Sequence, residues 1–532
     1  MKKISFVLYP ALLIFLSCCH SADQTSYNIT SFGAKGDGKT LNTTFIQHAI
    51  DKCHESGGGT VIIPPGEFVT GTIILKSNVN LFLSPGASLV GSLDTADYWI
   101  DGIKHGIIWA YQARNISITG TGEINGKGTA FHMPGRAHTG RDYDRKFTRQ
   151  GEKYFPLEPV PDDGPIGYDA RPGMMIVLVQ CEDVEIKDVK LADSPEWTIR
   201  IGDCDDVLVT GISIHNNLLI PNSDGIHCTT SRNIRISDCD IRAGDDAVIV
   251  TGFGTDVGVS GDVDTELDYT SREYGNKTGY SENVVVTNCL LQSRSSGIRV
   301  GYGMNNMRNC VFSNLVIYGS NRGIGVFSRD EGSIENLLFS DIVIKTRLHS
   351  GHWWGNGEPI HVSAIAQTEG IELGKIKNVR FRNIIAESEN GIMVYGAEES
   401  SISNLVFEQV QLHIKNSPLA DQYGGNCDLR PTLTMETAIF EMDIPGMYCN
   451  NTNGLTINDF QLKWDESPSD YFTQGIYCTQ FRDIKINGFK GRQAHTGQST
   501  AALLFENGSG LILMNLDIPD ECKVPVRKIN VQ

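Results

Sequence analysis

The 532-residue chain carries a formal charge of −18, with 40% hydrophobic side chains and 56 glycines. That charge disfavours nucleic acid as a partner, since a phosphate-binding surface needs net positive charge. It also disfavours simple electrostatic capture of a polyanion unless a local basic cleft overrides it. The glycine and hydrophobic content suits short strands and tight turns, not disorder.

Lys2 and Lys3, then the mostly apolar Ile4 to Leu16, predict an export signal over residues 1–22, too short to span a bilayer. Cleavage just after Ala22 is one reading. Lipidation at Cys18 or Cys19 is the other, since Phe15-Leu16-Ser17-Cys18-Cys19 looks like a bacterial lipoprotein site. No later segment has 18 uninterrupted apolar residues, so no membrane span is expected. The chain is read as periplasmic, tethered at the cell surface or secreted, and as a monomer. Of its thirteen cysteines, eleven follow Cys19, an odd number. Cys181 and Cys204, like Cys239 and Cys289, hold equivalent places in neighbouring repeats. A ladder of small buried side chains is therefore expected in place of a disulfide framework. No CxxC or close His/Cys cluster occurs, so no structural metal is expected.

Thr44 to Cys53 has helical spacing, with Phe45, Ala49 and Ile50 on one face. Lying between two Gly-rich turns, it is predicted to cap the open N-terminal end of a solenoid. The repeat itself is an Asn or Asp followed by a short alternating apolar strand. It appears at Asn115, Asp183, Asp206, Asn233, Asn283, Asn309, Asn336, Asn378, Asn404 and Asp483. From Asp183 the steps are 23, 27, 50, 26, 27, 42, 26 and 79, near one turn of a parallel β-helix or multiples carrying loops. Period-2 alternation turns one face of each strand inward, and the Asn or Asp fits a turn where it caps backbone groups or stacks on its equivalents. The fold class is thus an all-β, right-handed parallel β-helix (solenoid) with an N-terminal capping helix, one domain over residues 27–525. Stretches 133–172, 251–281 and 347–358 break the repeat, and insertions on one side of a solenoid commonly wall a binding groove.

Asn222-Ser223-Asp224 and Gly244-Asp245-Asp246 lie 21 to 22 residues apart, one turn, which stacks them on neighbouring strands about 4.8 Å apart. An Asp in a surface turn ordinarily caps backbone; two acidic motifs one turn apart argue for chemistry. Crowding Asp224, Asp245 and Asp246 predicts at least one raised pKa, and glycoside hydrolysis needs one protonated and one ionised carboxyl.

Ser194-Pro195-Glu196-Trp197-Thr198-Ile199, Pro221 to Ile226, Gly244-Asp245-Asp246 and Tyr280-Ser281-Glu282-Asn283, in this order, resemble glycoside hydrolase family 28, the polygalacturonases and rhamnogalacturonan hydrolases. The likeness extends from Phe32-Gly33-Ala34 to about Leu412. It implies a polysaccharide or oligosaccharide substrate and single-displacement hydrolysis without a cofactor. Asp245 would protonate the leaving oxygen; Asp224 and Asp246 would orient and deprotonate water. Three departures stand out. Ser296 replaces the family histidine, Gly325-Val326-Phe327 replaces Arg-Ile-Lys, and Thr251 replaces a lysine. Loss of three cations argues against plain homogalacturonan. Arg299 and Arg329 are candidate replacements, His227 and Asn222 candidate substrate contacts, and His349, His352, Trp353 and Trp354 either a sugar-stacking loop or a packing plug. Two rival readings remain. In one, the three aspartates hold calcium in a polysaccharide lyase, although no base is evident. In the other, the chain is a glycan-binding β-helix without catalysis.

Overall fold

A computed structural model describes residues 25–138, 143–154, 163–253, 279–399, 401–496 and 499–532. The export signal, Cys18 and Cys19 and most of 251–281 lie outside the described residues. Among those described, no helix is long and apolar enough to cross a membrane.

Nearly every strand belongs to one parallel ladder in which each pairs with the strand one turn before and one turn after. The ladder is a right-handed parallel β-helix, the hand that right-twisted strands impose on such connections. It begins at Ser26–Asn28 and runs through Val526–Val531, which pairs in parallel with Leu503–Met514, so it continues past residue 525. The helix α1 spans Thr43–Glu55 and buries Ile46, Ala49, Ile50 and Cys53. Phe45, expected on that face, packs against the core but is only half-buried, with its ring beside Gly33; Ile46 is fully buried next to it.

The recurring Asn or Asp has a backbone cause. All ten predicted positions have φ between 51° and 59°, the left-handed region where Asn and Asp are the least strained residues with a side chain. Their amides then bond along the stack: Asn283 to Asn233 at 3.0 Å, Asn336 to Asn309 at 3.2 Å, Asn378 to Asn336 at 3.1 Å and Asn404 to Asn378 at 2.6 Å. Inside, Phe312, Phe339, Phe381 and Phe407 stack with centroids 4.8, 5.0 and 4.9 Å apart, the strand spacing itself. Each such buried side chain contributes about 1.5–3 kcal/mol. The eleven described cysteines are all buried and free. Cys181 N–H donates to Cys204 Sγ at 3.4 Å, the ladder that repeat spacing implied.

Six consecutive strands carry the site: β1 (Ile199–Gly202), β2 (Ile226–Thr229), β3 (Val248–Gly252), β4 (Ser296–Gly303), β5 (Arg322–Ser328) and β6 (Ile360–Ala364). Their register aligns Ile199, Ile226, Val248, Ile298, Ile324 and Ile360 in the core. One residue on, Arg200, His227, Ile249, Arg299, Gly325 and His361 form the adjacent row. By the alternation of strands this row faces the other way, onto the groove.

Candidate active site

The residues just before β2 and β3 bring the carboxylates together. Ser223 Oγ donates to Ile220 C=O at 2.8 Å and accepts from Gly244 N–H at 3.0 Å, tying the two acidic turns to each other. A Cβ at Gly244 would meet Ile220 O at 2.2 Å, so only glycine permits this approach. Gly225 N–H donates to Asp246 C=O at 2.9 Å, continuing the ladder. As a result one oxygen from each of Asp224, Asp245 and Asp246 lies within 4.8 Å of the others, and all three residues are buried.

The three carboxyls differ in their surroundings. Asp245 Oδ1 accepts from Asp246 N–H at 2.9 Å, and Oδ2 from Asn222 N–H at 3.3 Å, with Asn222 held at φ 57°. Those donors favour the anion, but burial and then the charge of Asp246 outweigh them and push the Asp245 carboxyl up to about 7. Burial, followed by repulsion from Asp245 and Asp246, pushes Asp224 well above the usual carboxylate range. Asp246 faces a cation: Arg299 Nε lies 2.5 Å from its Oδ2, while Ser296 N–H donates to its Oδ1 at 2.7 Å. The trio therefore combines two carboxyls pushed toward their protonated form with one that faces a cation, the contrast that crowding predicts.

His227 lies beneath Asp224, with Nδ1 3.5 Å from Asp224 Oδ2 and Nε2 3.2 Å from Thr251 Oγ1. Trp197 stacks on its ring with centroids 3.7 Å apart. Burial, with Arg299 and Arg200 adding repulsion, holds its pKa well below the usual value, so the imidazole is neutral.

The candidate contacts divide. Asn222, His227, Ser296 and Arg299 adjoin the carboxylates. Arg299, expected as a substrate cation, is instead paired with Asp246. Arg329, expected to reach the cleft, does not: its guanidinium is buried and donates to Ser328 O, Ser363 O, Ser363 Oγ and Leu429 O. Phe327 accounts for the displaced cations, because its ring lies where a side chain at Gly325 would project, with Cε2 2.5 Å from an ideal Cβ. Arg322 and Arg329 flank that ring at 4.9 and 5.1 Å. The aromatic loop is a packing plug. Trp353 is buried and donates Nε1–H to Asp163 O at 2.7 Å, and His352 stacks on Tyr143. Asp163, in the 133–172 insertion, gathers Arg294, Arg347 and His349 at 2.6, 2.8 and 2.7 Å.

Sequence reasoning missed a second cluster on the same face. Glu358 and His361 repeat the Asp224–His227 spacing, with His361 Nδ1 3.7 Å from Glu358 Oε1. Arg322 Nε lies 3.6 Å from Glu358, and Arg430 clasps Asp428 with two bonds of 2.9 Å. The parallel between Asp224-Gly225-Ile226-His227 and Glu358-Pro359-Ile360-His361 is visible in the sequence.

Residues 168–422 match the model of glycosyl hydrolases family 28, and residues 26–98 match that of rhamnogalacturonase A/epimerase, pectate lyase-like. A probable polygalacturonase of Vitis vinifera is 29% identical over 264 residues, 46% of this chain and 47% of that protein. An exo-poly-alpha-D-galacturonosidase of Dickeya chrysanthemi is 29% identical over 262 residues, 43% and 42% of the two chains. The chain thus spans under half the length of these two relatives. The crystal structure of a hyperthermoactive exopolygalacturonase from Thermotoga maritima superposes with a TM-score of 0.54 at 20% identity, covering 88% of this chain and 92% of that one.

Proposed function

We propose that this chain, whose residues 168–422 match the model of glycosyl hydrolases family 28, is an exported hydrolase of O-glycosidic bonds in a pectic or related cell-wall glycan. Asp245 is the general acid. The observation that carries this role is its carboxyl, held near pH 7 by burial and by Asp246, which keeps a transferable proton at neutral pH. That proton passes to the leaving glycosidic oxygen. Asp246, facing Arg299 at 2.5 Å, takes a proton from the attacking water, and Asp224 orients that water. His227 holds Asp224 from below and is a positioning residue. Asp245→Asn tests the assignment: turnover falls by at least ~10²-fold with the fold intact, and an active variant on the natural substrate would sink it.

The preferred substrate carries fewer carboxylates than polygalacturonate. The support is Phe327, whose ring fills the place of a cation at 325, and Thr251, engaged with His227. The purified protein therefore cleaves unsubstituted polygalacturonate weakly or not at all; rapid cleavage contradicts this. A calcium-dependent lyase is the second reading, favoured by the closeness of three carboxylate oxygens. Against it, Arg299 already sits on Asp246, and Asp245 and Asp224 are held toward protonation, whereas a cation site needs ionised oxygens.

A further inference from the structure

Two turns beyond Asp246 the groove meets a lid of its own chain. Ser296 pairs with Arg322 in register, so Arg322 lies two strand spacings from the Asp246 turn, about 10 Å. There the backbone of the 351–357 loop rests on the arginine. An ideal Cβ on Gly355 would lie 3.2 Å from Arg322 Cβ and 3.4 Å from its Cζ. Asn321 Nδ2 anchors this loop by donating to Trp354 O and Gly355 O, both at 2.9 Å, and Gly355 N–H donates to Asp428 Oδ2 at 2.7 Å. Trp354 is covered in turn by Arg430 at 4.8 Å.

The polar atoms between the carboxylates and this lid are incompletely bonded. Ser296 Oγ, Arg322 Nε and both nitrogens of His361 are buried and make no hydrogen bond within the described residues. Buried polar atoms left in this state cost free energy unless a ligand or water completes them. Two of the guanidinium groups here are already matched, Arg322 and Arg430 facing Glu358 and Asp428, and the third, Arg329, turns its two terminal nitrogens to Ser328, Ser363 and Leu429, away from a substrate carboxylate. Phe327, with its edge-on contact to His361 at 5.2 Å, supplies an apolar plate beside them.

We propose that this end of the groove is a closed subsite that receives the uncharged terminal sugar of a glycan, so that the enzyme releases units from a chain end. The inference rests on the hydrolase reading above. Ser296, Arg322 and His361 bond the hydroxyls of the end unit, and the 351–357 loop stops the chain from running through.

The test uses the full-length protein and fluorescently end-labelled pectic oligosaccharides of defined length, one set ending in a neutral sugar and one in galacturonate. Terminal fragments alone are expected from the first time points, with neutral ends released at least ~10-fold faster, a discrimination of about 1.4 kcal/mol. Mid-length products at early times, or equal release from galacturonate ends, overturn the closed neutral subsite. No cleavage of any oligosaccharide overturns the hydrolase reading itself, and the inference with it. Asn321→Ala supplies a second arm by removing the two side-chain bonds that Asn321 makes to the loop. A folded N321A protein is expected to yield mid-length products that the wild type does not, and an unchanged terminal pattern from it contradicts the role of the loop.

Discussion

Two acid–histidine pairs occupy equivalent places on the same face, Asp224–His227 before and on β2 and Glu358–His361 before and on β6. They share the i, i+3 spacing and full burial of the imidazole, at 3.5 and 3.7 Å. Their neighbours reverse their chemistry. Asp224 has Asp245 and Asp246 beside it, so burial and repulsion raise its pKa. Burial also pushes Glu358 up, but Arg322 and His361 outweigh it and leave the carboxyl below the usual value. One geometry therefore gives a proton-holding carboxyl where anions cluster and a fixed anion where guanidinium groups do. The surrounding charge, not the pair, separates a reactive turn from a binding or structural one.

The comparison breaks most visibly at activity. Asp245→Asn is expected to lower turnover at least ~10²-fold, about 2.7 kcal/mol of barrier, while its thermal unfolding stays cooperative; kinetics on the natural substrate check this. Glu358→Gln attacks the other cluster and is expected to show first in stability. Uncompensating a buried guanidinium costs on the order of 3 kcal/mol, read by denaturant unfolding. A fully stable Glu358→Gln protein would show that Arg322 does not depend on that carboxylate.

The pH dependence sharpens the same contrast. The fold raises the Asp245 pKa from 3.8 to about 7, so the protonated form is favoured in the native state. The resulting stabilisation is complete below the unfolded value and is lost as pH rises toward 7. Wild type should therefore lose on the order of 2 kcal/mol relative to Asp245→Asn between pH 5 and 8, measurable as a change in the difference of their unfolding midpoints. The activity limb that needs the acid falls over the same range above neutrality. Identical pH dependence in the two proteins would remove the raised carboxyl from the account.

The solenoid was legible because its cause is local. A left-handed backbone position recurs once per turn, Asn and Asp satisfy it, and period-2 alternation does the rest, as at Asn336-Leu337-Leu338-Phe339. The aspartate trio was legible for the same reason: one turn of sequence is one strand of distance. Helix α1 was legible from its spacing; Phe45 packs against the core but stays half-buried, and the fully buried Ile46 beside it is an inward residue the spacing left out. The fate of the cations was not legible. That Arg299 pairs with Asp246, that Phe327 folds over Gly325 and that Arg329 turns into Ser363 and Leu429 depend on side-chain direction. Long insertions hid the rest: Arg294 and His349 lie 131 and 186 residues from Asp163 in sequence, distances no short motif spans.

A protonated carboxyl that passes its proton to a leaving sugar leaves its most direct trace in product mass. Incubation with a panel of pectic polysaccharides and oligosaccharides in the presence of chelator should give fragments that together have gained one water per cut, with no absorbance from a new double bond. Activity that disappears in chelator, returns with calcium and brings that absorbance would instead make Asp224, Asp245 and Asp246 the ligands of an eliminating metal site, and unchanged masses throughout would make the face a glycan-binding surface.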